Sequence, residues 1–283
     1  MKRIKTWIKI ILIRGTPLGI RKWLAVRINH CAAIPLRYRS YAATELLKDF
    51  AETDINEYHK FLWAQHLAYA ETYEIDLRFG YENFNTSRKI LFSELPSYVE
   101  KAGLAPGEVR SVLEVGSSLG YLLRYLETDV FTQAECLEGI DIDAHAIAAG
   151  ASYLKSLGSK VHLQQGDMES IDFYFAGTRF DIVLASGVLL YLDQNSATEF
   201  VANLLAHTGK LLVITALAHP EIDNAKLESS LPRVSDGTWI HNVDRMVAVA
   251  RGSIIGRRWE GGTIVDGNTI YFLYVVANSN RAS

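Results

Sequence analysis

From residue 109 onward the chain alternates short apolar runs with longer segments whose apolar residues fall three and four apart. The runs are "RSVLEV", "AECLEGI", "KVHLQQ", "FDIVLA" and "KLLVITAL", and "LGYLLRYLE", "AHAIAAGASYLKSLG" and "NSATEFVANLLAHTG" lie among them. Runs of this kind read as strands buried in a sheet, and the 3.6-residue periodicity reads as helices. Repeated β–α units of this size join parallel strands through helical crossovers that cover both faces. The tail departs from the pattern. A helix around "HNVDRMVAVAR" precedes two extended segments, "SIIGRRWEGGTIV" and "NTIYFLYVVANS", joined by the turn pair Asp266-Gly267. The expected fold is α/β, a mostly parallel sheet closed by an antiparallel C-terminal hairpin.

No convincing strand precedes residue 109. "ATELLKDFAETDINEYHKFLWAQHLAYAETYEIDL" contains neither glycine nor proline and reads as one long or two consecutive amphipathic helices. After a turn near Gly80 and Asn85, Thr86-Ser87 is expected to cap a further helix, "RKILFSELPSYVEKAG". The expected organisation is a basic amphipathic segment over 1–40, a helical extension or lid over 41–105, and an α/β domain over 106–283.

The net charge of −3 conceals a gradient, because ten lysines and arginines, from Lys2 to Arg39, precede the first acidic residue, Glu45. The longest apolar run there, Ile10 to Ile13, is far short of the roughly 20 residues that span a bilayer. Trp7, Ile8, Ile11 and Leu12, continued by Trp23, Leu24 and Arg27, instead form the pattern of a helix lying on anionic lipid. A solvated basic extension, packed on the domain or on a second copy of the chain, is the other reading, so a homodimer stays open. The acidic remainder would repel phosphates and argues against nucleic acid. Two cysteines, Cys31 and Cys136, are too few and too far apart for a disulfide framework or a metal pair, which points to a reducing cytoplasm, with the basic segment at the inner face of the membrane.

"VLEVGSSLGYLL" parses in two ways. Gly116, Ser118 and Gly120 spell G-x-S-x-G, the turn that presents a nucleophilic serine in α/β-hydrolases; Glu114, Gly116 and Gly120 nearly spell the glycine loop of a Rossmann-like cofactor site. A nucleophile turn belongs in mid-sheet after several strands, whereas this one follows the first strand. The hydrolase reading is therefore the weakest. A cofactor loop calls for an acidic residue at the end of the second strand to accept from ribose hydroxyls, and "CLEGIDID" supplies Asp141. Ser117, Ser118 and Leu119 make the loop less open than a pyrophosphate-binding G-x-G-x-x-G, which favours a nucleoside cofactor without phosphates and leaves a nicotinamide-dependent oxidoreductase as the alternative. A scaffold protein that binds the cofactor without catalysis is the non-enzymatic alternative. Asp141, Asp143 and His145 have the residue types of metal ligands, but the first is claimed by the ribose and Asp143 opens a helix as its cap, so no metal is expected.

"VLEVGSSLGYLL", "LEGIDIDAHAIAAG", "VHLQQGDMESI", "FDIVLASGVLLYL" and "HTGKLLVITAL" resemble, in order and spacing, the successive motifs of class I S-adenosylmethionine-dependent methyltransferases, over about residues 109 to 277. The resemblance implies a Rossmann-like seven-stranded sheet with the last strand inserted antiparallel, and S-adenosylmethionine as cofactor with S-adenosylhomocysteine as product. It implies that Glu114, Gly116, Ser118 and Gly120 lie beside the methionine moiety, that Asp141 binds the ribose diol and Ile142 packs on the adenine. Asp167 would accept from the adenine amino group with Met168 covering the ring, and Ser186 and Gly187 would line the floor between cofactor and acceptor. Ser118 stands where the family often has a third glycine.

A sulfonium methyl is already activated, so the protein's task is alignment and exclusion of water, and a general base is optional. Tyr191, His219 and His241 are the candidates for that base. His66, Tyr69, Tyr73 and Tyr81, in the helical extension, are the candidates for contacts with a small-molecule acceptor, methylated on oxygen or nitrogen and anionic, glycan-like or lipid-linked. Helical aromatics serve equally as core.

Overall fold

A computed structural model of the chain describes residues 15–67, 75–233, 236–265 and 268–277. The chain divides into two compact units, Met1–Tyr73 and Glu74–Ser283. The first contains α1 (Leu18–Asn29), α2 (Leu36–Thr53) and α3 (Ile55–Ala64). Trp7, Ile8, Ile11 and Leu12 lie outside the described residues. α2 runs through the boundary expected at residue 40. The continuous helical pattern breaks at Asp54, whose carboxylate caps α3 by accepting from the Glu57 N–H at 3.1 Å. Ala25, Ala43, Leu47 and Leu67 form a small core, and buried Arg21 is satisfied by the Thr16 and Leu46 carbonyls and by an ion pair with Asp49.

The second unit begins with α4 (Ile75–Phe79) and α5 (Thr86–Lys101), then builds the sheet. Its strands are β1 (Ser111–Val115), β2 (Cys136–Asp141), β3 (Val161–Gln165), β4 (Phe180–Ser186), β5 (Thr208–Leu217), β6 (Gly252–Val265) and β7 (Asn268–Ala277). They are ordered β3-β2-β1-β4-β5-β7-β6; the first five are parallel, and β7 runs antiparallel to both β5 and β6. This is the expected sheet, with the late hairpin folding back so that its second strand inserts beside β5. Helices α6 (Tyr121–Tyr125), α7 (Ala144–Ser156), α8 (Ile171–Phe175), α9 (Gln194–Ala206) and α10 (Val243–Val249) supply the connections. A two-stranded pair, Leu231–Pro232 with Trp239–Ile240, follows β5 and has no counterpart in the expected pattern. The Asp266-Gly267 turn lies outside the described residues.

α5 differs from expectation at its start. Asn85, not Thr86-Ser87, is the cap: its side chain accepts from the Arg88 N–H at 3.1 Å, and the Ser87 hydroxyl donates to it. Adjacent capping residues compete, and the backbone before the helix decides between them. α5 buries Leu91, Phe92, Leu95 and Val99. It is fastened to the hairpin by Glu94, which pairs with Arg258 and accepts from the Tyr274 hydroxyl, and by Tyr98, stacked on Tyr274 with centroids 3.7 Å apart. Residues from Glu74 on thus share a unit with the sheet, so the extension read over 41–105 is divided between the two units.

Candidate cofactor site

Parallel strands place all their C-terminal ends at one edge, and ligands bind outside that edge where the strand order reverses. Here the reversal lies between β1, whose next strand in sequence lies on one side, and β4, on the other. Four loops meet there in spatial order, after β3, β2, β1 and β4. They span three strand spacings, about 14 Å, the length of an extended nucleoside with a tail.

The loop after β1 is shaped by β2. Gly116 and Ser117 donate their N–H groups to the Ile140 carbonyl at 2.8 and 3.1 Å. Gly116 has φ +79°, and a side chain there would overlap Val188 Cγ1, so both backbone and packing require glycine. Ser118 also has a positive φ, +50°, and its N–H donates to Asp141 Oδ2 at 2.8 Å. Asp141 Oδ1 accepts from the Asp143 N–H at 2.9 Å, and the Asp141 carbonyl accepts from Gly166 N at 2.9 Å. One residue at the tip of β2 therefore ties together the loops after β1, β2 and β3. Burial pushes its carboxyl above the usual range, against the pull of those N–H donors. Each carboxylate oxygen keeps a further lone pair for a ligand hydroxyl.

Asp143 is fully buried and caps α7, accepting from the N–H groups of His145 and Ala146 at 2.9 and 3.0 Å. Among the described residues no three metal-ligating side chains converge. Ile142 is half-buried beside Asp141. Asp167 accepts from the Glu169 N–H at 3.1 Å and opens the turn Met168–Ser170, with Met168 packed on the main core. At the β4 end, Ser186 Oγ and Thr215 Oγ1 share a hydrogen bond of 3.0 Å, and exposed Gly187 turns away at φ +72°. Glu114, on β1, is 1% exposed. Its Oε2 and the neighbouring Ser117 Oγ have no hydrogen-bond partner, and burial raises the Glu114 carboxyl well above its ordinary range.

Residues 112–209 match the family model described as a methyltransferase domain. These residues form a methyltransferase domain. The magnesium protoporphyrin IX methyltransferase of Synechocystis PCC 6803, whose crystal structure holds SAH, is similar in fold, with TM-score 0.52 and 13% identity over 82% of this chain and 100% of its own. A SAM-dependent methyltransferase of Leishmania major gives 0.51 and 11%, over 67% of this chain and 74% of its own. The cyclase SpnF gives 0.50 and 16%, over 64% and 79%, so the shared fold does not by itself define a reaction. No curated protein matches the chain in sequence.

The methyltransferase domain distributes the remaining candidates unevenly. Tyr191 ends the turn Leu189–Tyr191 after β4 and is half-buried. His219 follows β5, but its Nδ1 accepts from the N–H groups of Glu221 and Ile222 at 3.1 and 3.0 Å, which puts the proton on Nε2. That ring nitrogen shapes the loop after β5. His241 is held by the fold at both ring nitrogens. It is 1% exposed, its Nε2–H donates to the Leu189 carbonyl at 3.2 Å and its Nδ1 accepts from the Ser230 hydroxyl at 2.7 Å. Burial pushes its pKa down to about 4. It is a neutral strut between the Leu189 turn and the loop of Ser230, with both nitrogens engaged.

Tyr81 stacks on Tyr125 at 4.8 Å and packs with Phe84, so at least one of its ring faces is used in the fold. His66 lies in the first unit just after α3, with φ +56°. Tyr69 and Tyr73 lie outside the described residues. Sequence spacing does not single out Ser117, Val188 or Tyr121, whose only signal is adjacency to the glycine loop or to the end of β4.

Proposed function

We propose that the domain transfers the methyl group of S-adenosylmethionine to an oxygen or nitrogen of a small-molecule acceptor, using the row of loops after β3, β2, β1 and β4. The observation that carries this reading is Asp141, whose two carboxylate oxygens stand at the centre of the row with N–H groups on one side and lone pairs remaining for a ribose diol. In this reading Asp167 and Met168 receive the adenine, Ile142 packs on it, and Gly116, Ser118 and Gly120 line the tail. The residues present fit a cofactor with a cationic tail: Glu114 Oε2 is a buried acceptor without a donor, and the Ser117 hydroxyl of the loop after β1 is likewise buried and unpartnered. When bound, the cofactor supplies a methyl carbon already activated by sulfonium.

The chain's own residues hold the acceptor in line and dry. Ser186 and Gly187 form the floor, and Tyr191 is the side chain suited to receive or relay the proton that a hydroxyl or ammonium acceptor releases. The late antiparallel hairpin favours this chemistry over a nicotinamide-dependent oxidoreductase, because the dinucleotide fold has the order 3-2-1-4-5-6 with parallel strands.

An anionic, glycan-like or lipid-linked acceptor is the finer part of the proposal, reached from the inner face of the membrane. The basic excess over residues 1–40 supports it, as does α1, where exposed Ile20 and Trp23 share a face with Arg27. No helix among the described residues is long and apolar enough to cross a membrane. Tryptophan-quenching titrations with S-adenosylhomocysteine and NADH test the cofactor, and binding of NADH alone would refute the proposal. Mass spectrometry of a source-cell lysate incubated with protein and S-adenosylmethionine, reading for species that gain one methylene, tests the transfer.

A further inference from the structure

Charge is segregated along this chain. Ten of the 29 lysines and arginines, and none of the 32 aspartates and glutamates, lie within residues 1–40, so that segment carries +10 and the remainder −13. Three of these cations are engaged by the fold itself. Arg21 meets Asp49 and the Thr16 and Leu46 carbonyls, and Lys22 Nζ sits over the Phe50 and Phe61 rings, 4.0 and 4.8 Å from their centroids. Arg39 holds the corner between α1 and α2 through the carbonyls of Asn29, Ala32 and Ile34. Arg27 instead is exposed and lies against the Trp23 ring, 5.6 Å from its centroid.

The same stretch exposes large apolar side chains. Ile20 and Trp23 are 51% and 57% exposed, on the face of α1 opposite buried Arg21 and Ala25. Tyr38 and Tyr41, on the first turns of α2, are 52% and 57% exposed. Four of the eleven large hydrophobic side chains exposed among the described residues thus fall between residues 20 and 41, which makes a patch rather than scattered exposure. The residue types select what covers it. Tryptophan, tyrosine and arginine each have an apolar body and a polar tip, and they settle where a bilayer's hydrocarbon meets its headgroups. Nucleic acid would use the arginine and the rings and would leave Ile20 in water. A second copy packed face to face would set one +10 segment against another.

We infer that α1 and the start of α2 dock in the plane of an anionic bilayer surface. Ile20 and Trp23 enter the headgroup layer, while Arg27 and the excess charge of the segment draw it to lipid phosphates. The inference rests on the membrane-side reading of the acceptor and gives that reading a surface. It also supplies an orientation, because a surface that attracts the +10 segment repels the −13 remainder.

Co-sedimentation of the full chain with vesicles tests it. The protein should bind vesicles of phosphatidylcholine mixed with phosphatidylglycerol and leave pure phosphatidylcholine unbound, and its binding should weaken at least about tenfold from low to high salt. Ile20→Ser combined with Trp23→Ala should lower the partition coefficient about 10- to 100-fold, the scale of two half-exposed apolar side chains returned to water, and Arg27→Gln about fivefold. Because both positions are exposed, the double variant should keep its urea midpoint and bind S-adenosylhomocysteine within about twofold of the unsubstituted protein. No binding to anionic vesicles, equal binding to neutral ones, or undiminished binding of the folded double variant would overturn the dock. Methyl transfer into a lipid extract by a protein that binds no vesicles would overturn the dock and keep the acceptor reading. Retention on an oligonucleotide, or a dimer that the double variant dissociates, in either case without vesicle binding, would assign the patch to nucleic acid or to a second copy and overturn the dock.

Discussion

Asp141→Ala separates what the carboxylate does for the loop from what it does for a ligand. In the folded protein it accepts the N–H groups of Ser118 and Asp143 at 2.8 and 2.9 Å, and both lose their acceptor in the variant. A fully stranded donor costs about 1–3 kcal/mol, but this carboxylate is only partly buried and water can replace it, so we expect about 1–3 kcal/mol of stability lost in total. For the ligand, if Asp141 binds the ribose diol as proposed, loss of those charge-assisted bonds is worth about 1.5–3 kcal/mol, or about 10- to 150-fold in affinity. A second contribution comes from Ser118, held at φ +50° at a cost of roughly 1–2 kcal/mol for a residue with a Cβ. Without the Asp141 bond the loop relaxes and must be re-formed on binding. Adding Ser118→Gly, which makes positive φ inexpensive, should recover that second part and leave the first. Isothermal titration with S-adenosylhomocysteine, together with urea unfolding, reads both. Unchanged affinity in Asp141→Ala, with the expected loss of stability, would show that the carboxylate serves the loop alone and would remove it from the cofactor site.

Gly116→Ala should destabilise by about 2–4 kcal/mol, combining positive φ with overlap on Val188, and should lower the urea midpoint without changing the sheet's circular dichroism. Ser118→Ala should keep methyl transfer within a few-fold in a labelled-methyl assay, because its contribution is a backbone N–H; full inactivation of a folded variant would restore the serine as nucleophile. His241 predicts a pH dependence. Its folded pKa of about 4 lies below the ordinary value near 6.5, so the folded state disfavours the imidazolium. Its contribution to stability is intact above about pH 6.5 and is lost as pH falls toward 4. The stability gap between the unsubstituted protein and His241→Gln should be about 2 kcal/mol smaller at pH 5 than at pH 7.5, as measured by urea unfolding; a gap independent of pH would refute the assignment.

The sheet was legible because its central strands β1, β4 and β5 are buried on both faces and so carry continuous apolar runs, and because Asp266-Gly267 reads in the sequence as a turn pair between the last two segments. The α/β unit's helix boundaries were less so: Asn85, Thr86 and Ser87 all cap well, and only the path of the chain from Gly80 selects Asn85. His241 was illegible for a different reason. A histidine after a strand reads as a base, and what makes it a strut is a carbonyl 52 residues away at Leu189 and a hydroxyl at Ser230.

Ser118 shows how the two parses of one loop come apart. Both G-x-S-x-G and the cofactor loop place a serine on a tight turn after a strand, and here that serine does have the positive φ of a strained turn. The difference lies in what pays for the strain. In this chain Asp141 on the neighbouring strand accepts the Ser118 N–H, so the loop's shape is fixed by a carboxylate that a glycine would make less necessary. A ribose diol arriving at Asp141 would therefore meet the same carboxylate that sets the loop beside the cofactor's tail. On that proposal sugar binding and loop geometry are one equilibrium, and a substitution at Asp141 or Ser118 should be felt at the other.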